Sequence, residues 1–78
     1  MSRSFSGRQL RAARVAAGVR VEALACTIDR SARSITEYER DRVTPSVKSL
    51  GRLAEALGVQ VDDFFLTETT AGSRGRVA

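Results

Sequence analysis

The sequence has no histidine and a single cysteine, Cys26. The missing histidine removes the commonest general base. With only one cysteine, a disulfide framework and a His/Cys zinc site are both excluded. Proline occurs once, at Pro45, and lysine once, at Lys48. Aromatic residues make up 5% of the 78 residues. No apolar run approaches the roughly 18 residues of a membrane span. Residues 1–7 lack the apolar core of a signal peptide, so the expected location is cytoplasmic. There is no glycine-rich phosphate loop. Together these absences argue against an enzyme, and nothing in the composition calls for a cofactor or a metal. The length holds one domain.

What the sequence does have is arginine, twelve of its thirteen basic residues, against nine acids, for a net charge of +4. The excess is unevenly placed. Residues 1–42 carry nine arginines against five acids, and residues 43–71 carry two cations against four acids. Arg74 and Arg76 add two charges at the end. A basic first half and a mildly acidic second half point to two surfaces, of which only the first attracts polyanions.

Apolar spacing predicts five short helices. The first covers 7–17, with Leu10, Ala13, Ala16 and Ala17 as its stripe and Gly18 as its stop. The second covers 21–27, with Val21, Leu24, Ala25 and Ile28 on one face. The third covers 32–40 after the N-cap Ser31, with Ile35 and Tyr38 turned inward. Residues 41–46 hold the only proline and form a break. The fourth helix covers 47–57, with Val47, Leu50, Leu53, Ala54 and Leu57 as its stripe and Gly58 closing it. A fifth covers 61–66, with Asp62 and Asp63 at its positive end. Residues 67–78 have almost nothing to bury and read as a disordered, flexible tail. Arg3 and Arg8 fall in an opening segment that reads as a frayed end, the alternative being an arm along the DNA backbone. No alternating strand pattern is evident. The fold class is therefore all-α, a small five-helix bundle whose core is marginal alone and gains from a second copy.

Helices two and three are joined by about four residues, Ile28-Asp29-Arg30-Ser31. Two short helices on such a turn cross steeply. The third then shows Ala32, Arg33, Thr36, Glu37 and Arg40 on its outer side. Small and polar residues flanked by arginine suit insertion into a DNA major groove about 12 Å wide.

Five stretches carry a family likeness: Leu10-Arg11-x-x-Arg14-x-x-x-Gly18, Leu24-Ala25, Ser31-x-x-x-Ile35-x-x-Tyr38-Glu39-Arg40, Thr44-Pro45-Ser46, and Leu53-Ala54-Glu55-Ala56-Leu57-Gly58-Val59. In this order and spacing, without gaps, the chain resembles the helix-turn-helix domain of the Cro and lambda-repressor superfamily, the XRE family. The resemblance implies a compact lambda-repressor-like domain over 7–66, a helix-turn-helix motif at 21–40 and a recognition helix at 31–40. It implies base contacts from Arg33, Ala32, Thr36 and Glu37. An Arg33 guanidinium bidentate to guanine would be worth about 1–3 kcal/mol of discrimination, and Ala32 would touch a thymine methyl. Glu37 would either accept from cytosine or hold Arg33 in place. Phosphate contacts would come from Arg20, Ser31, Ser34, Arg40 and Arg42, and Arg14 with Glu39 would form a structural ion pair.

The chain departs from the family where members have Thr-Gln at the start of helix two. Here those positions are Arg20-Val21, and Ala23 stands where a capping box has Glu. The turn, usually Gly then an apolar residue, reads Asp29-Arg30, which leaves Arg30 to point to solvent or to DNA.

Cys26, beside Leu24-Ala25, reads as a small, partly buried hydrophobe rather than a reactive thiol. Val61, Phe64, Phe65 and Leu66 are dense for a short terminal helix. One Phe is expected in the core, and the other, with Leu66 and Val59 or Val61, at a homodimer interface. The expected partners are double-stranded DNA, a second copy and, in some family settings, a toxin or another regulator. The expected function is that of a dimeric repressor reading a near-palindromic operator. The alternative is a protein-interaction module with weak or lost DNA binding. A phage-type repressor, a restriction–modification controller and an antitoxin all fit so short a chain.

Overall fold

Serine residues start three of the helices. Ser6, Ser31 and Ser46 each stand in extended backbone, and each hydroxyl accepts a hydrogen bond from the amide three residues on, at Gln9, Ser34 and Ser49. That bond satisfies an amide with no partner inside the helix. The helices so begun are α1 (Gly7–Ala16), α3 (Ala32–Glu39) and α4 (Val47–Leu57). Helix α2 (Val21–Thr27) starts at Arg20, whose side chain caps nothing. The computed structural model describes residues 2–68.

All four helices end the same way. A residue in left-handed backbone, Gly18, Asp29, Asp41 or Gly58, follows each last turn. The amide after it reaches back to a carbonyl five residues earlier: Val19 to Arg14, Arg30 to Ala25, Arg42 to Glu37 and Val59 to Ala54. This closure satisfies carbonyls left over at a helix end and sets the angle at which the chain leaves. Glycine takes the conformation without strain, whereas Asp29 and Asp41 carry some.

The expected fifth helix is replaced by other elements. Val61–Phe64 forms a single 3₁₀ turn, and Phe65–Glu68 is a strand, β2. It pairs antiparallel with Ser2–Phe5, strand β1, with Phe5 opposite Phe65 and Ser4 opposite Leu66. Four residues make too short a helical nucleus to propagate, and Phe65-Leu66-Thr67 favours extended backbone. The described part of the chain is thus four α-helices with a two-stranded ribbon, rather than five helices. The opening segment is a strand rather than a frayed end, and the expected flexible tail begins inside β2. Residues 69–78, with Arg74 and Arg76, lie outside the described residues.

The core is built from the inward faces of the helices. Leu10, Leu24, Ile28, Ile35, Leu53 and Phe64 are wholly buried, and Ala25, Tyr38, Leu50, Ala54 and Leu57 surround them. Burying each large side chain contributes about 1.5–3 kcal/mol. Phe5 and Phe65 cover one end, their rings edge to face with centroids 6.2 Å apart. Three expectations fail at the edges of this core. Ala16 and Ala17 are exposed, Val47 is 86% exposed, and Cys26 is exposed. The apolar stripes of α1 and α4 run past the core, and Cys26 follows the buried Leu24-Ala25 pair, where the helix turns outward. Among the described residues no helix is long and apolar enough to cross a membrane.

Candidate nucleic-acid interface

At 100° per residue, the inward direction of α3 is fixed by Ile35 and Tyr38, both buried. The opposite direction falls on Arg33 and Arg40, both exposed. Ala32 and Thr36 flank this line on one side, Ser34 and Glu37 on the other, all half-buried. The α2–α3 turn holds the helix in that pose. Ile28 is buried against the core, Asp29 takes the left-handed conformation, and the Arg30 amide bonds to the Ala25 carbonyl at 2.8 Å. The sequence thus places the outer face of α3 away from the core by burying Ile28 before the turn and Ile35 and Tyr38 after it.

Two hollows run along this face. One, about 400 Å³, is lined by Arg30, Ser31, Arg33, Ser34, Glu37, Tyr38 and Val43. The other, about 250 Å³, is lined by Arg11, Arg14, Thr36, Glu39 and Arg40. Four of the proposed DNA contacts, Ser31, Arg33, Ser34 and Glu37, therefore gather in the first hollow, and Thr36 and Arg40 lie in the second. Ala32 lies on the flank of Thr36, and Arg20 stands exposed at the start of α2.

Local hydrogen bonds limit what some of these groups offer. The Ser31 hydroxyl caps α3 and lies 3.1 Å from that of Ser34. The Thr36 hydroxyl donates to the Ala32 carbonyl one turn back, 3.1 Å away, so its donor is already used. Glu37 sits 3.9 Å from Arg42, whose side chain is 64% exposed. Among the described residues Glu37 pairs with Arg42 and not with Arg33, which corrects the idea that it steadies Arg33. The Arg33 guanidinium has no carboxylate partner among the described residues.

Arg14 and Glu39 form a two-pronged pair between α1 and the end of α3. Arg14 Nε donates to Glu39 Oε2 at 2.6 Å and Nη2 to Oε1 at 3.3 Å, while Nη1 donates to the Val19 carbonyl at 3.0 Å. The hydrogen bond to Glu39 pushes the Arg14 guanidinium above its already high ordinary pKa. A second tie was not visible in the sequence. The Gly7 amide, at the start of α1, donates to Asp41 Oδ1 at 2.7 Å, and Gly7 packs on the Tyr38 and Glu39 carbonyls so closely that a methyl group there would overlap them. Helix α3 is therefore clamped to α1 at its C-terminal end.

Of the expected dimer residues, Phe64 is wholly buried in the chain's own core and is unavailable to a second copy. Phe65 and Val61 are half-buried and line an open groove of about 400 Å³ with Val47, Leu50, Gly51 and Asp62. Leu66 is half exposed, and strand alternation turns it, opposite Ser4, away from the Phe65 side of the ribbon. Arg11, beside Arg40, is the cation on this face that sequence reasoning passed over; its place three residues before Arg14 on one helix side was the available signal.

The model of the helix-turn-helix domain matches residues 7–64. The clp gene regulator ClgR from Corynebacterium glutamicum is 34% identical with a TM-score of 0.72, over 74% of this chain and 62% of that one. The P22 c2 repressor, solved in complex with the synthetic operator 9T, is 29% identical with a TM-score of 0.70, over 76% of this chain and 89% of that one. The restriction–modification controller protein C.AhdI from Aeromonas hydrophila is 28% identical with a TM-score of 0.70, over 74% of this chain and 88% of that one. The match thus spans about 62% of the length of ClgR and most of the other two. A comparison with the curated proteins gives no significant match.

Proposed function

Because the chain belongs to the helix-turn-helix domain family, we propose that it is a sequence-specific DNA-binding regulator of transcription, a homodimer that represses from a near-palindromic operator. The single observation that carries this reading is the outer face of α3. Arg33 and Arg40 stand directly opposite the buried Ile35 and Tyr38, and among the described residues no acid is bound to Arg33. An unpaired guanidinium at the leading end of a helix is free to read guanine from the major groove. Arg33, Ala32, Thr36 and Glu37 contact bases. Arg20, Ser31, Ser34, Arg40 and Arg42 contact phosphates. The likeness to the P22 c2 repressor, bound to its operator, supports the same use of the fold here.

A second copy seats on the groove bounded by Val47, Val61 and Phe65. Val47 is 86% exposed there, which suits an interface more than water. Two recognition helices then lie about 34–36 Å apart, one turn of DNA. The experiment is selection of bound sequences from a random DNA pool, with molecular mass measured in solution. An enriched site with two-fold symmetry and a dimer mass are expected. Absence of any DNA binding at about 50 mM salt would leave the protein-interaction reading in its place, and a strict monomer at micromolar concentration would remove the dimer.

A further inference from the structure

The α2–α3 turn leaves Arg30 between two hollows. One is the hollow along α3. The other, about 290 Å³, lies beyond the turn and is lined by Ile28, Asp29, Arg30, Lys48, Ser49 and Arg52. Lys48 and Arg52 are the two cations of the otherwise acidic segment 43–71, and both come to this one place. They stand four residues apart on one side of α4, a spacing at which like charges repel. Arg52 Nη1 reaches the Ile28 carbonyl at 3.5 Å, which ties α4 to the turn. None of Arg30, Lys48 and Arg52 forms an ion pair with a carboxylate among the described residues. Among the described residues Asp29 is the only acid lining the hollow, so two positive charges remain in excess.

The first turn of α4 is not what marks the place, because the Ser46 hydroxyl already accepts the bond of the Ser49 amide. The side chains mark it. Three cations brought together by tertiary packing repel one another, and the bond from Arg52 to the Ile28 carbonyl leaves their charge without a carboxylate partner among the described residues. An anion seated among them reverses that balance.

We propose that Arg30, Lys48 and Arg52 hold a phosphodiester of the DNA backbone beyond the base pairs read by α3, so that the contact continues over the turn onto α4. This rests on the DNA-binding reading above. The occupant is a phosphate within a DNA strand rather than a free anion for two reasons. The hollow is open, so it does not enclose a small ion. Arg30 also lines the α3 hollow, so a strand lying along α3 passes directly to the second group of cations.

The test measures binding of the full chain to its selected site over a series of salt concentrations, for the wild type, for Arg30→Gln and for Lys48→Gln with Arg52→Gln. All three positions are exposed, and thermal melts check that the variants fold; should the double variant fail, Arg30→Gln alone decides. Each phosphate contact contributes about −0.9 to the slope of log K against log salt. The variants are expected to lose about 0.9 of that slope, so that their affinity falls about threefold less between about 50 and 200 mM salt. The preferred base sequence is expected to stay the same, and Lys48→Arg to keep the wild-type slope. Trimming the duplex to the base pairs read by α3 is expected to erase the difference between wild type and variants. An unchanged slope in variants of a wild type that binds DNA overturns the proposal and spares the function. Competition by inorganic phosphate beyond that of chloride at equal ionic strength overturns the choice of a strand phosphate. A wild type that binds no DNA at low salt overturns both readings.

Discussion

Arg14 and Glu39 meet across the α1–α3 junction through two hydrogen bonds, with side chains only 13% and 9% exposed. Removing either partner strands a charge in a place with little water, at a cost of about 3 kcal/mol. Arg14→Met and Glu39→Leu are each expected to lose about that much in denaturant melts. The double variant is expected to lose less than either single one, since an apolar pair of similar size replaces both charges. A double variant as unstable as the sum of the singles would mean that the pair holds no mutual energy. The pH sign is fixed by the raised guanidinium pKa. The contribution is fully present below the ordinary arginine range and is lost only as pH rises through the raised value, so neutral pH leaves it intact.

Asp29 and Asp41 share a left-handed backbone but not a role. Asp41 also accepts from the Gly7 amide at 2.7 Å. Asp29→Gly relieves strain and is expected to raise stability by about 0.5 kcal/mol. Asp41→Gly gives up a bond to a charged acceptor and is expected to lower stability by about 1 kcal/mol. Thermal melts of the two variants, run side by side, read the difference directly; equal shifts would show that the Gly7 bond contributes nothing.

Arg20 begins α2 without capping it. Arg20→Ser supplies a hydroxyl at that position and is expected to add about 1 kcal/mol. The same change removes a proposed phosphate contact, so DNA affinity is expected to fall while the melting temperature rises. Both quantities rising together would take Arg20 out of the DNA contacts.

Arg33 and Arg42 separate base reading from phosphate binding. Arg33→Ala is expected to cost about 1–3 kcal/mol at one base pair and to relax preference there. Arg42→Ala is expected to weaken binding to all sequences alike, with only a small effect on stability because its link to Glu37 is long and exposed. Uniform losses from both variants, measured on a panel of single-base operator changes, would reassign Arg33 to the backbone.

The helices were legible because their information is local. Ser6 and Ser46 apart, the cap Ser31 and the stops Gly18 and Gly58 stand beside the stripes they bound, and Leu24, Ile35, Leu50 and Leu53 recur at helical spacing. The outer face of α3 was legible for the same reason, as the complement of Ile35 and Tyr38. The ribbon was not, because neither strand reads as one until its partner, some sixty residues away, lies beside it. Asp41 read only as part of a break, since its bond to Gly7 spans 34 residues. Phe64 and Phe65 could not be told apart by type; only the 3₁₀ turn sends the first inward and leaves the second at the groove. Val47 matched the stripe of α4 by number and missed the core because that core ends before the helix does.

The ribbon carries a consequence for the order of folding. The contacts that join α2 to α3, and α1 to α3, close short loops, while β1 and β2 must find each other across nearly the whole described chain. Loop closure costs more the longer the loop, and contacts distant in sequence form late. The helical body can therefore assemble in microseconds to milliseconds and wait for its two ends to zip together afterwards. In the native state that seam is the first to part, so amides of Ser4 and Leu66 should exchange with solvent well before those of Leu53, while the face of α3 stays formed.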